Sequence, residues 1–146
     1  MKSLDKVSKN IFCKLIEAMN GEQYLNIECN NYLPLTIELL DNTINTEYGI
    51  GCTYSFCNYY EKNGDLMQSP EMCFLFIDNR TEAIHDLGKA IVLPYMFQYA
   101  DLELYEQSIH FEHGKIVGID ETMQSRHSLL AMQWLSEIKS IGYLKF

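Results

Sequence analysis

No run of apolar residues in this chain approaches the roughly 20 that a membrane-spanning helix needs. The amino-terminal MKSLDKVSKNIF carries lysines but no apolar stretch and no small-residue cleavage site, so nothing in it reads as an export signal. Linkers rich in Gly, Ser or Pro are missing, as are internal repeats and low-complexity tracts. A single domain over residues 1–146 is therefore expected. CxxC pairs are absent, and the five cysteines are an odd number. Metal-ligand pairs usually stand two to four residues apart, so Cys13, Cys29, Cys52, Cys57 and Cys73 read as reduced, mostly buried thiols of a cytoplasmic protein. The motifs GxSxG, Walker A, GxGxxG and HExxH do not occur, and GIG at Gly49–Gly51 is too short to cradle a phosphate.

Positive charge is also scarce. Eleven Lys and Arg face 20 Asp and Glu, for a net charge of −9. The imbalance sits in the middle: residues 1–21 carry +2, residues 22–79 carry −8 and residues 80–146 carry −3. Phosphate binding requires a basic stripe, so direct nucleic-acid binding is not expected. An acidic centre suits a protein that meets a basic partner, or one that mimics the charge of nucleic acid.

What is present points to an α+β fold. Hydrophobic residues make up 47% of the chain, enough for a core without covalent staples, and ten tyrosines stand against one tryptophan. A phenol suits half-buried sheet positions, its ring inside and its hydroxyl at the edge. Leu4, Val7, Ile11, Phe12, Leu15, Ile16 and Met19 recur at helical spacing, with Ser3 as the expected cap and Asn20-Gly21 as the stop. A polar connection follows. YLPLTIELL (Tyr32–Leu40) alternates as a half-buried strand, and DNTINTEYG reads as a turn-rich link. Strands are expected over Gly49–Tyr60 and Glu71–Asp78, over Ala90–Leu102 with a break at Pro94, and in a hairpin over Ser108–Asp120 turning at Gly114. A second helix is expected from Glu121 to Ile141, capped by Asp120 and stopped by Gly142. The fold class is thus an antiparallel β-sheet with an N-terminal and a C-terminal α-helix.

Candidate function concentrates in NYYEKNGDLMQSPEMCFLF, residues 58–76. Asn63-Gly64 is a strong hairpin signal, because a type I′ turn needs positive φ at both centres. Gln68-Ser69-Pro70 is a second breaker, which extends the expected connection to Pro70. Three readings stand side by side. The stretch is a polar hairpin tip; or Glu61, Asp65 and Glu71 converge on a hard cation; or Tyr59 and Tyr60, with Asn58, Glu61, Asn63, Asp65 and Glu71, form a recognition surface.

The same segment resembles an uncharacterised bacterial family carried on plasmids, phages and other mobile elements. Its members have HYYEQNGD, a spacer and PEM before a strand. Here Asn58 stands where His is usual, while Tyr-Tyr-Glu, Asn-Gly-Asp and Pro-Glu-Met are kept. YLPLTIELL, YADLELYEQ and WLSEIKSIGYL resemble further elements of that family. The resemblance implies a mobile-element origin and carries no activity.

Elsewhere the chemistry is thin. His110 and His113 fall on opposite sides of a strand, His85 lies in a connection, and His127 lies near the apolar stripe of the last helix and reads as packed. Cys57 is the one cysteine near the polar cluster, and Asp101, Glu103 and Glu106 read as a solvated edge. No cofactor or metal is called for. The expected function is a non-enzymatic protein-interaction module that binds a host or element protein, in one version inhibiting a host defence system. The alternative is a small metal-dependent hydrolase or ligand-binding protein built on Glu61, Asp65 and Glu71.

Overall fold

The computed structural model describes residues 1–81 and 86–145. Its elements are α1 (Lys6–Glu17), β1 (Tyr24–Cys29), β2 (Tyr32–Thr46), β3 (Gly49–Lys62), β4 (Asp65–Asp78), β5 (Ala90–Tyr99), β6 (Leu104–Gln107), β7 (Ile109–Glu112), β8 (Lys115–Ile119) and α2 (Glu121–Ile141). The strands form one eight-stranded sheet in the order β6-β5-β4-β3-β2-β8-β7, with β1 also paired to β2. Every pairing is antiparallel except the short β2–β8 contact at Asn45 and Lys115. The α+β class with a helix at each end of the sequence is the fold observed.

Both helices cover one face of the sheet. Alternation sends Leu35 and Ile37 of β2, Phe56 of β3, Met72, Phe74 and Phe76 of β4, and Val92 of β5 to that side. They meet Ile11, Phe12 and Leu15 of α1 and Ala131, Trp134, Leu135 and Ile138 of α2. Phe12 is the hub: its ring stacks on Phe56 at 5.2 Å and meets Phe74 and Phe76 at the same distance. A smaller core lies on the opposite face, where Ile44, Cys73, Leu75, Ile77, Leu93, Tyr95 and Ile109 pack together with Phe111 and Ile116. The β7–β8 hairpin supplies its cover. It leaves the β5 edge at Ser108, whose N–H bonds the Tyr95 carbonyl, and reaches β2 where Asn45 N–H bonds the Gly114 carbonyl at 2.7 Å.

The helix signals hold where they are local. Asp120 caps α2 by accepting from the Met123 N–H, and Gly142 closes it at φ +92°. The cap of α1 is Asp5 rather than Ser3. Asp5 accepts from the Ser8 N–H at 2.8 Å, while the Ser3 hydroxyl is engaged with the backbone of Val92. Both turn signals also hold: Asn63-Gly64 and His113-Gly114 have positive φ at both residues.

Strand boundaries depart from expectation in the direction of longer strands. The polar connection contains β1, whose YLNIEC alternates between an outer row (Tyr24, Asn26, Glu28) and a row packed on the core (Leu25, Ile27, Cys29). The link after Leu40 continues β2 to Thr46, with irregularities on either side of Asp41. β4 restarts immediately after Gly64 and does not wait for Pro70, because backbone pairing with β3 resumes at Asp65. Pro94 does not break β5. A bulge places Pro94 opposite Phe74 and Met96 opposite Cys73, so Tyr95 is the extra residue. Asp101 and Glu103 are not on a strand: residues 100–102 form a 3₁₀ turn that ends at Glu103 in the left-handed region, before β6. Part of the connection before Leu87, including His85, lies outside the described residues.

Candidate functional site

Among the described residues the second face of the sheet is covered at one end only, where the second core lies. Away from the β7–β8 hairpin, towards the Asn63-Gly64 turn, the outward rows of six strands come together. β1 contributes Tyr24, Asn26 and Glu28, and β2 contributes Thr36 and Glu38. β3 contributes Ser55, Cys57, Tyr59 and Glu61, and β4 contributes Leu66, Gln68 and Glu71; of these rows Thr36, Ser55 and Cys57 are themselves buried. Gln98 of β5 and Tyr105 of β6 complete it. Tyr24, Tyr105 and Leu66 are 57%, 58% and 60% exposed, which is high for rings and branched chains on a sheet. A depression of about 270 Å³ opens between β1 and the hairpin, lined by Tyr24, Asn26, Pro34, Thr36, Tyr59, Tyr60, Glu61 and Leu66.

Charge on this face is one-sided. β1, β2, β4, β5 and β6 contain no Lys or Arg at all. The one cation of β3, Lys62, lies on the other side, with Nζ 3.9 Å from Asp101. Glu71 is half-buried, and burial pushes its carboxyl above the usual range, with Glu38 adding to the rise and the Ser55 hydroxyl opposing it. Ser55 donates to Glu71 at 2.5 Å. Tyr59 is shifted up as well, first by burial and then by the thiol of Cys57 and the carboxylate of Glu71.

The sequence-derived candidates separate in space. Tyr59, Glu61 and Glu71 share the open face. Tyr60 points the other way and donates to Asp101, a bond that pushes its phenol up to about 12. Asp65 pairs with Lys62 and so falls on the side opposite Glu61, which pairs with Leu66. Glu71 lies opposite Cys57, four positions along β3 from Glu61, or roughly 13 Å at strand spacing. The structure therefore does not gather Glu61, Asp65 and Glu71. Among the described residues no three His, Cys, Asp or Glu side chains stand together as metal ligands would. Asn63 sits in the turn, and Asn58 is buried on the helix side. There Asn58 Nδ2 donates to the Pro34 carbonyl at 3.1 Å and to the Tyr143 hydroxyl at 3.3 Å, tying β3 to β2 and the C-terminal segment.

All five cysteines are free. Cys57 is buried and its thiol is shifted upward by burial; Cys73 is pushed up to about 12 for the same reason. A nucleophile needs the opposite shift and access, so neither serves as one. Ser108, His127 and Glu106 resemble a hydrolase triad in composition. His127 Nδ1 stands 2.8 Å from Ser108 Oγ, and Nε2 stands 3.4 Å from Glu106. Both Ser108 and His127 are completely buried, so no substrate reaches the hydroxyl, and the group is a packed polar joint. His127 is thus a packed histidine, as its place near the apolar stripe suggests.

Tyr24, Glu38, Leu66 and Tyr105 are among the members of the open face that the sequence motifs do not reveal. The alternation in YLNIEC is the signal that reveals Tyr24, once that stretch is recognised as a strand. No curated protein and no solved structure matches the chain. Among the described residues no helix is long and apolar enough to cross a membrane. One family model, described as a domain of unknown function (DUF6908), matches residues 8–144, and the chain belongs to that family.

Proposed function

We propose that this chain is a non-enzymatic protein-interaction module of a bacterial mobile element, acting in the cytoplasm on a host or element protein through the open face of its sheet. One observation carries the reading. Tyr24, Tyr59 and Tyr105 stand among Glu38, Glu61 and Glu71 on a face that, among the described residues, neither helix nor hairpin covers and no Lys or Arg interrupts. Tyrosine gives large contact area at low entropic cost, and such rings dominate the energetics of interfaces. The mobile-element origin, and inhibition of a host defence system as its specific form, rest on the resemblance of YYEKNGD and PEM to sequences carried on plasmids and phages.

The test is capture from bacterial lysate at low salt with the wild-type chain and with Tyr24→Ala. Tyr24 is exposed, so its truncation leaves stability within about 0.5 kcal/mol. A protein retained by the wild type and lost from the variant supports the reading. Retention that is identical for both, or no retained protein, counts against it.

A further inference from the structure

The open face is specific enough in its chemistry to describe what it receives. Its rows carry Glu28, Glu38, Glu61 and Glu71, while the Lys and Arg of the described residues lie elsewhere: on α1 and α2, on the opposite side of β3 at Lys62, on β8 at Lys115, and outside the strands and α-helices. Lys6, Lys14, Arg80 and Lys139 gather around one cleft beside the helices, which sharpens the polarity between the two sides of the molecule. Within the open face, two phenol rings and a carboxylate border one depression. Tyr24 and Tyr59 line the depression with Glu61, and Leu66 and Pro34 close it with apolar surface. A flat cation bounded by aromatic rings, with a carboxylate at the rim, is the ligand such a recess fits.

Resting on the interaction reading above, we infer that the partner presents an arginine-bearing basic segment that lies across β1 to β4 and places a guanidinium in the recess between Tyr24, Tyr59 and Glu61. Arginine fits better than lysine for two reasons. Its plane stacks on a phenol ring, and its fork pairs with a carboxylate through two N–H donors. Further basic residues of the same segment then meet Glu38 and Glu71. Glu71 is half-buried and accepts from the Ser55 hydroxyl, and a cation arriving on this face stabilises its charged form.

The experiment titrates the full chain with a short synthetic peptide carrying arginines spaced by Ser and Thr, and with lysine and citrulline versions of it. Binding is read by calorimetry and by backbone amide shifts. The arginine peptide is expected to shift amides of β1 to β4, to bind several-fold more tightly than the lysine peptide, and to weaken as salt rises. Tyr24→Ala is expected to lower affinity about tenfold. The double variant Glu38→Gln, Glu61→Gln is expected to lower it at least as far. Glu112→Gln, Glu137→Gln removes the same net charge from β7 and α2 and is expected to leave affinity unchanged. If both double variants weaken binding equally, the peptide senses only net charge and the inference fails. Equal binding of the lysine peptide overturns the arginine assignment. An arginine peptide that leaves β1 to β4 unperturbed, while lysate capture still depends on Tyr24, overturns the inference and leaves the interaction reading intact. Loss of both overturns both.

Discussion

Ser55 and Glu71 meet on the diagonal between β3 and β4, the serine hydroxyl donating to the carboxylate over 2.5 Å. That bond opposes, without cancelling, the burial that raises the Glu71 carboxyl above its ordinary 4.5. The folded state therefore holds the Glu71 proton more tightly than the unfolded state, and this group makes stability fall as pH rises above about 4.5 through the folded value. Glu71→Gln keeps an acceptor for Ser55 and removes the charge. Its urea midpoint is expected to exceed wild type at pH near 7 and to match it below about pH 4, where Glu71 is protonated in both states. A lower midpoint at neutral pH would mean that the carboxylate is held by something other than Ser55.

The buried joint between α2 and the β6–β7 connection titrates in the opposite sense. Burial lowers the pKa of His127 below 6.5, and the ion pair with Glu106 counteracts this only in part. With the ring neutral, Nδ1 accepts from Ser108 and Nε2–H donates to Glu106, whose own carboxyl is held low chiefly by Arg126, at 2.7 Å. The unfolded chain binds the His127 proton first as pH falls. The contribution is therefore whole above about pH 6.5 and declines below it. Between pH 7.5 and about 5.5 the stability difference between wild type and His127→Gln, read as urea midpoints, is expected to shift in favour of the variant as pH falls. Ser108→Ala leaves the ring nitrogen without its donor and is expected to cost about 1–3 kcal/mol.

Asn58 is a strut, and its substitution reads out as stability. Asn58→Ala strips the Pro34 carbonyl and the Tyr143 hydroxyl of a donor and is expected to cost about 1–3 kcal/mol in chemical denaturation. Asn58→His keeps a ring N–H at this place and is expected to cost less than half as much. If the two variants are equally stable, the side-chain bonds of Asn58 contribute nothing.

Gly51 is required by packing and not by backbone conformation. A Cβ there would stand 2.8 Å from Leu75 Cδ1, 3.0 Å from Ile77 Cγ1 and 3.2 Å from the Phe76 carbonyl. Leu75 and Ile77 are fully buried in the second core and have nowhere to go. Gly51→Ala is expected to cost about 1–3 kcal/mol. Gly118→Ala, where nothing lies within 4 Å, is the control and is expected to be neutral within about 0.5 kcal/mol by thermal or urea unfolding.

Much of this architecture is legible in the chain itself, because its signals are local. The spacing of Ile11, Phe12 and Leu15, the Asp120 cap, the Gly142 stop and the Asn63-Gly64 turn each act within a few residues, and each appears where it is read. The two faces of a strand are also local, since alternation follows from the pleat. What alternation does not say is which parity meets the helices, or where the parity changes. By plain counting Asp65 and Glu71 would share a face. Between Cys57–Glu71 and Tyr59–Gln68, however, β4 spends one residue more than β3, at Ser69–Pro70, and the parity of β4 reverses there. Asp65 is thereby sent to the side of Lys62, Glu71 to the side of Tyr59, and the three carboxylates of the hairpin are kept apart. Likewise, the burial of Asn58 depends on Tyr143, 85 residues away, and the exposure of Tyr24 depends on a hairpin that covers only half of one face. By itself the sequence determined the elements and the sign of the charge. Tertiary structure alone decided which tyrosines and carboxylates look out together, because that rests on bulges and on contacts between residues far apart along the chain.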